Sequence, residues 1–280
     1  MKKLAQAVAI GAAVVALPAA ASAAPAFAVW LDGNTTPGGG GNAILNSLGA
    51  GNFQLVSTAN LETAGFLNPF KAIVVSRFGD NFGTGLSAAA AANVQAFVGS
   101  GPTQGAVALF TNDMADNLAG SLSGDPFDAN LQKLFTNAAS FAAASGHGYI
   151  GEFNGAAMGV ASNANGFAAL DLLPGSASAL PGSIAPEKFV YDVGPIGGGH
   201  AIDQGVTFPF TDDDVTTFLT KISGASSSNI VDIYTNPSAL NDPAILANEK
   251  AIEGVPEPAS LCLLGIALVG MAAIRRRKNI

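Results

Sequence analysis

The sequence predicts a single three-layer α/β domain with a mostly parallel sheet. Two observations carry this prediction. Short apolar runs alternate along the chain with helical segments, and the runs within residues 71–76 and 105–110 are apolar without interruption. Unbroken apolar strands are typical of a sheet that is covered on both faces. Alternation of strands and helices implies parallel strands joined by right-handed crossovers.

The strands and helices follow in order from local patterns. Apolar or β-branched runs predict strands at residues 26–31, 53–57, 71–76, 105–110, 148–151, 188–193 and 230–234. Helical segments are predicted at residues 42–48, 87–98, 128–144, 154–161 and about 211–222.

Two of these helices have specific sequence support. Ser87 is a suitable N-cap for the Ala-rich helix, and the glycines at 99 and 101 end it. In the helix at 128–144 one face is apolar, formed by Leu131, Leu134, Phe135, Ala138 and Phe141. Residues 162–187 and 194–212 have no regular pattern, so we expect loops there. The predicted domain covers residues 26–236, and a linker follows at 237–254.

The N-terminus has the pattern of a secretory signal peptide. Lys2 and Lys3 precede an apolar run at residues 4–20, and small residues follow. Signal peptidase has two candidate Ala-x-Ala sites, which end at Ala23 and Ala28. The first lies at the more usual distance from the apolar run. We predict a signal peptide at residues 1–23, with an alternative end at residue 28.

Composition excludes several classes of function. Six basic and 19 acidic residues lie between residues 24 and 254, so this part carries a net charge of -13. Such a domain repels nucleic acid and anionic lipid, and no nucleic-acid partner is expected. The single cysteine, Cys262, lies in the apolar C-terminal run. The exported domain therefore has no disulfide and no thiol nucleophile.

The C-terminus combines a proline pair, an apolar run and a basic cluster. The run at residues 259–274 has no charged side chain. As a helix it would span about 24 Å, slightly less than the roughly 30 Å hydrocarbon core, so it predicts a short transmembrane helix. The basic cluster remains on the cytoplasmic side, which places the preceding domain outside the inner membrane.

Taken in this order, residues 255–280 resemble the PEP-CTERM sorting signal. The motif residues are Val255, Pro256, Glu257 and Pro258, and the basic membrane stop is Arg275, Arg276, Arg277 and Lys278. The resemblance implies cleavage near the motif by an exosortase, a membrane protease of Gram-negative bacteria. It also implies delivery to the cell surface or extracellular matrix, often with exopolysaccharide. In this interpretation Glu257 is recognised by another enzyme and is not a catalytic group of this chain.

An internal segment has the pattern of a nucleophile elbow. Gly151 and Gly155 flank Phe153 between a predicted strand and a predicted helix of small residues. The glycines let a strained central residue lie between closely packed elements. The segment resembles the elbow of the class I glutamine amidotransferase-like superfamily, including its ThuA-like branch, and residues 86–107 and 199–206 extend the resemblance. This resemblance implies a flavodoxin-like sheet over residues 26–236.

The elbow departs from that superfamily at its centre. Phe153 stands where amidotransferases have a cysteine and cannot act as a nucleophile, so glutamine hydrolysis by thiolate attack is excluded. A different chemistry would use Glu152 as a general base with His147 or His200. The alternative interpretation is that both histidines are solvated loop residues and Glu152 is a hydrogen-bonded carboxylate at a strand end.

No metal or cofactor site is predicted. His147, Glu152 and His200 have no tight metal-ligand spacing. The acidic run at 212–214 lacks the spacing of a calcium loop and is explained by the start of the helix predicted there. The glycines at 38–41 lack the Lys-Ser/Thr of a phosphate loop.

These observations predict an exported, exosortase-sorted protein of the cell surface or extracellular matrix. Its α/β domain is expected to be non-catalytic, and the sorting signal implies association with exopolysaccharide or biofilm. The expected partners are signal peptidase, the exosortase, transiently the inner membrane, and exopolysaccharide. The alternative is a secreted hydrolase or isomerase that acts on a carbohydrate-like ligand through Glu152 and His147 or His200.

Overall fold

The structure, a computed structural model, describes the α/β domain. The described residues are 24–31, 39–76, 86–112, 114, 118, 129–152, 169–184, 188–212 and 219–248. The predicted signal peptide, the elbow residues Phe153 and Gly155, the helix predicted at 154–161 and residues 249–280 with the sorting signal lie outside them. Within the described part, no helix is long and apolar enough to cross a membrane.

A nine-stranded mixed sheet forms the centre of the domain. Five parallel strands make up one half and confirm the predicted ones: β1 (Phe27–Leu31), β2 (Phe53–Leu55), β3 (Ala72–Ser76), β4 (Val107–Phe110) and β5 (Gly148–Glu152). We call the edge where these strands begin the amino edge and the edge where they end the carboxyl edge. All residues of β1, β4 and β5 are buried, as expected for strands covered on both faces.

The described residues include four α-helices, α1 (Gly39–Leu48), α2 (Thr58–Glu62), α3 (Ala88–Val98) and α4 (Ala129–Ala144). Side chains of α1 and α4 join the core on one face of the sheet, and those of α2 and α3 join the core on the other. The predicted apolar face of α4 is buried. The Ser87 side chain caps α3 as predicted, and Gly99 ends it at a φ of 75°.

The short helix α2 occupies part of a predicted strand. The strand expected at 53–57 ends at Leu55, and Ser57 caps the helix instead. The Ser57 side chain accepts from the backbone of Asn60, and the Asn60 side chain accepts from the backbone of Ser57. This reciprocal cap uses Asn at the position where Glu or Gln is usual.

The parallel strands have the order 2-1-3-5-4, which differs from the flavodoxin-like order 2-1-3-4-5. β5 lies between β3 and β4 and pairs with both. The connection from β3 through α3 to β4 skips the position of β5 and packs on one face of the sheet. The connection from β4 through α4 to β5 runs back in the opposite direction and packs on the other face. The two crossovers therefore have the same handedness. The expected flavodoxin-like order is wrong, because handedness rules do not determine how many strands a crossover passes over.

Six further strands follow in the chain: β6 (Ser178–Ile184), β7 (Val190–Val193), β8 (Phe210–Thr211), β9 (Leu219–Ser223), β10 (Ile230–Tyr234) and β11 (Pro243–Ala247). Four of them extend the sheet beyond β4 in the order β11-β10-β7-β8, and every pair in this half is antiparallel. The strands predicted at 188–193 and 230–234 are confirmed. The expectation of a mostly parallel sheet is corrected to a mixed one.

The range 237–254, expected to be a linker, contains the central strand β11. All five residues of β11 are buried, and it pairs with β4 on one side and β10 on the other. The sheet therefore extends past residue 236 to Ala247. The strand was missed because Pro243 opens it and the residues before it have turn composition.

The helix predicted at about 211–222 is also corrected. Residues 219–223 form β9, which pairs antiparallel with β6 in a separate two-stranded sheet. The acidic residues at 212–214 suggested a helix start, but pairing with β6 determines the conformation of residues 219–223. Ile222 of β9 packs onto the core that also holds α2 and α3.

Candidate functional site

Two buried polar side chains meet at the carboxyl edge of the sheet. Ser76 is the last residue of β3 and Glu152 the last of β5, the neighbouring strand. The Ser76 hydroxyl donates a hydrogen bond to Oε1 of Glu152. The two side chains are only 1% and 7% exposed. Glu152 is thus a hydrogen-bonded carboxylate at a strand end, which is the second of the two interpretations offered for it above.

A small cleft of about 180 Å³ opens beside this pair. Its other lining residues are apolar or glycine: Val74, Val75, Phe110, Met114, Phe135, Ile150 and Gly151. This volume includes space open to solvent, so the enclosed part is smaller still, whereas pockets that enclose small-molecule ligands usually measure about 300–1,000 Å³. The described part of the cleft is therefore too small to enclose a sugar-sized ligand by itself.

The cleft lies beside two neighbouring strands, β4 and β5, whose next described elements pack on opposite faces of the sheet. After β4 the chain continues to α4 on one face, and after β5 it continues to residues 169–172, which pack on the other face. In open α/β sheets, ligands bind in crevices of this kind at the carboxyl ends of the strands. The position is therefore the natural one for a site in this fold, and Glu152 is its charged residue among the described residues that line it.

His147 lies far from this site. It precedes β5 at the amino edge, and Glu152 lies five residues further along, a separation of about 17 Å at strand spacing. Its Nδ1 lies 3.2 Å from the carbonyl oxygen of Val98, and its ring packs edge-on against Phe97 of α3. His147 is thus part of the packing between α3 and the start of β5.

His200 lies on the opposite face from His147. Its ring packs edge-on against Phe141 of α4 with centroids 4.9 Å apart, and its Nδ1 accepts a hydrogen bond from the backbone of Ile202. Burial lowers the pKa of His200, so the ring is neutral at neutral pH. The structure therefore does not bring His147, Glu152 and His200 together.

Gly151 has a packing role in the part of the elbow that the structure describes. A Cβ at this position would lie 2.7 Å from Cε1 of Tyr149. Tyr149, two residues earlier in β5, is buried, and burial raises the pKa of its hydroxyl. The glycine is explained by the space that this ring needs.

Among the described residues, no group of three or more histidine, cysteine or acidic side chains is arranged to hold a metal ion. Asp212, the described member of the acidic run, is buried beside tyrosines. Its backbone donates to the carbonyl of Phe189. Burial of Tyr191 and Tyr234 is the largest cause of their raised pKa values, and the negative charge of Asp212 adds to the increase.

A polar network that no sequence motif indicated lies at the junction of the two halves of the sheet. Asn112 donates from Nδ2 to the hydroxyl of Tyr191, and Thr111 donates to the carbonyl of Pro243 at 2.7 Å. The Tyr191 ring stacks on Phe210 at 4.8 Å and meets Tyr234 edge-on at 5.0 Å. Two of the chain's three tyrosines lie here. Buried tyrosines usually bring their hydroxyls to a partner, which is the available sequence signal.

Replacement of Ser76 by alanine is expected to lower the free energy of unfolding by about 1–3 kcal/mol, because a buried carboxylate then loses a donor. Urea unfolding measures this change. The matched control is Ser100→Ala, at an exposed serine whose side chain makes no cap hydrogen bond, with an expected change within about 0.5 kcal/mol. Equal effects of the two substitutions would contradict a stabilising Ser76–Glu152 contact.

Comparison with known proteins supports the C-terminal assignment. The PEP-CTERM protein-sorting motif matches residues 254–278. This match confirms the predicted sorting motif and supports export, exosortase processing and surface localisation. No curated protein and no solved structure gives a significant match to the chain. The amidotransferase-like assignment of the central domain has no support from a family match.

Proposed function

We propose that this chain is an exported surface or matrix protein that an exosortase processes at its C-terminus. The apolar run at 259–274 holds the protein in the inner membrane, with residues 275–278 on the cytoplasmic side. Cleavage near Pro256, Glu257 and Pro258 then delivers the α/β domain to the cell surface or extracellular matrix, in association with exopolysaccharide in a biofilm. The observation that carries this proposal is the sorting motif at residues 254–278.

The α/β domain acts by binding or as a structural component, without catalysis. Three observations support this part of the proposal. Glu152 is paired with Ser76, the two histidines lie on opposite faces of the sheet away from Glu152, and the described cleft is small. A hydrolase or isomerase that uses Glu152 with His147 or His200 needs a convergence that these positions do not offer.

Signal peptidase cleaves after Ala23 in this proposal. The support is the position of β1, which begins at Phe27. Cleavage after Ala28 would remove Phe27 and Ala28, which pair with both β2 and β3. A mature chain that starts at residue 24 keeps β1 whole.

Intact-mass analysis of the mature protein from its native host tests the sorting step. The wild-type chain is expected to end near residues 255–258. Glu257→Ala is expected to abolish this end, because it removes the acidic residue of the recognised motif. Glu253→Ala is the matched control, since it removes an acidic residue just outside the matched range, and its product is expected to end as the wild type does.

The opposite result would be a wild-type mature chain that still carries residues 275–280. The C-terminus would then be an ordinary tail anchor, and the matrix assignment would be wrong. Loss of processing in both variants would mean that a local change of charge, and not the motif itself, determines cleavage.

A further inference from the structure

Two buried carboxyl groups, those of Asp203 and Asp232, face each other and are called here the carboxyl pair. Asp232 lies in β10 and is fully buried, and Asp203 ends a short 3-10 turn and is 8% exposed. Among the described residues, no N–H or hydroxyl donor reaches any of their four oxygens. Each carboxyl interacts electrostatically with the other, and Oδ2 of Asp203 lies close to the backbone of Val231, the residue before Asp232.

The charged neighbours do not compensate this pair. Asp192 on β7 adds a further negative charge near Asp232. His200 precedes the turn, and burial lowers its pKa, which opposes a positive charge there. Lys133 on α4 lies with its side chain against Gly205. Beyond Asp232, on the side of β7 and β10, the titratable groups are Tyr191, Tyr234 and Asp212, none of which supplies positive charge.

Two ionised carboxylates in contact, without donors, are strongly unfavourable in a buried position. A shared proton removes the repulsion and supplies the missing hydrogen bond. Burial raises the pKa of Asp203 to about 7, although its hydrogen bond with Asp232 opposes the shift. Burial first, and then the charge of Asp203, raise the pKa of Asp232 well above its usual range.

The pair joins two parts of the structure. Residues 194–206, the covering segment, cross the face of the sheet that holds α4. Asn137 of α4 donates to the carbonyls of Ile202 and Gln204 at 2.7 and 2.9 Å, and Gly194 donates to the carbonyl of Val231 in β10 at 2.7 Å. The side chain of Asp203 extends from this segment to Asp232.

The covering segment packs closely against the carboxyl of Asp203. A Cβ on Gly197 would lie 2.5 Å from Oδ2 of Asp203 and 2.4 Å from the carbonyl oxygen of Val231. The segment is thus held directly against the carboxyl of Asp203. Movement of the segment away from β10 would separate the two aspartates and relieve their repulsion.

We propose that Asp203 and Asp232 form a proton-dependent contact that holds the covering segment closed against the sheet and releases it as pH rises. The contact is a pH-sensitive switch in the fold, independent of the sorting motif and of the cleft at the carboxyl edge. At acidic and neutral pH the shared proton joins the segment to β10. At alkaline pH the two charges repel, and the segment opens.

The direction of the effect follows from proton linkage. Both carboxyls bind protons more tightly in the closed state than in the open state, where their pKa values are near 4. The closed state is therefore most favoured at low pH. It loses stability as pH rises from about 4 through about 7, and continues to do so while Asp232 remains protonated.

Hydrogen exchange of the mature protein, followed by mass spectrometry between about pH 5 and about pH 8, tests this proposal. After correction for intrinsic exchange, protection of peptides within 194–206 is expected to fall by about tenfold or more for each pH unit. Protection of α3, which contacts neither aspartate, is expected to stay constant. Uniform protection of the segment across this range would overturn the proposal.

Substitution distinguishes a pH dependence caused by the carboxyl pair from one caused by other titrating groups. The isosteric double variant Asp203→Asn/Asp232→Asn keeps the shape but removes both titrations, and its segment is expected to lose the pH dependence. Asp171→Asn, at an exposed aspartate, is the matched control and is expected to behave as the wild type. Retention of the full pH dependence in the double variant would overturn the proposal.

A bound cation is the competing explanation for two facing carboxylates. The wild-type protein is therefore also melted at about pH 8 with and without millimolar Ca²⁺. No change in Tm is expected for a contact held by a proton. A rise in Tm that the double variant lacks would overturn the proton-dependent contact in favour of a cation site. If the double variant does not fold, the exchange profile of the wild type alone still decides.

Discussion

A chain that ends at residue 236 is expected to lose its folded structure, whereas a chain that ends at Asn248 is expected to fold as the mature protein does. The reason is the position of β11, a fully buried strand between β4 and β10. Without it, β10, β7 and β8 lose their connection to the parallel half, and two strand edges are exposed. Far-UV circular dichroism and thermal unfolding measure the difference.

The end point at Asn248 is chosen because this side chain completes the sheet. Asn248 donates from Nδ2 to the carbonyl of Gly105 at 2.9 Å and accepts from the backbone of Val107 at 2.8 Å. The longer chain is therefore the matched control, since it lacks the whole sorting region but keeps every contact of β11. A cooperative melt of the chain that ends at 236 would mean that the parallel half folds without its neighbour.

Trp30→Ala is expected to lower the free energy of unfolding by about 3–5 kcal/mol. Trp30 is the chain's single tryptophan, it is 1% exposed, and it lies in the core formed with α2 and α3. Its Nε1 also donates to the hydroxyl of Thr58 at 3.1 Å, at the start of α2. The substitution therefore creates a large cavity and removes a link between β1 and α2. Urea unfolding followed by circular dichroism measures it, because the variant has no tryptophan fluorescence.

Two controls divide this loss into its parts. Trp30→Phe keeps most of the buried volume and removes the hydrogen bond, and Thr58→Val removes the hydrogen bond from the other side. Each is expected to cost about 1–2 kcal/mol. A Trp30→Ala variant that is no less stable than these two would contradict a tightly packed core at this position.

Local sequence patterns predicted much of the parallel half. The apolar strands from β1 to β5, the cap at Ser87 and the buried face of α4 each depend on neighbouring residues, and the structure confirms them. The strand order and β11 depend on pairing between distant residues, which leaves no local pattern. For the same reason, the acidic run before β9 was interpreted as the start of a helix.

The candidate site shows the same limit. The end of β5 placed Glu152 at the carboxyl edge, but the pattern around His147 and His200 did not indicate which face each would occupy. Asp203 and Asp232 are 29 positions apart and have no motif in common. Their contact arises because the covering segment crosses β10, a feature that only the fold reveals.

Both ends of the described domain leave from the amino edge. β1 begins there at Phe27, and β11 runs antiparallel to β4 and ends there at Ala247, opposite Ala108. Five residues then separate Asn248 from the sorting motif at 254, a reach of about 20 Å at most. In the anchored form proposed above, the domain is therefore tethered to the bilayer from its amino edge. The opposite edge, with Ser76 and Glu152, is the end of the sheet furthest from the point where this tether leaves the domain.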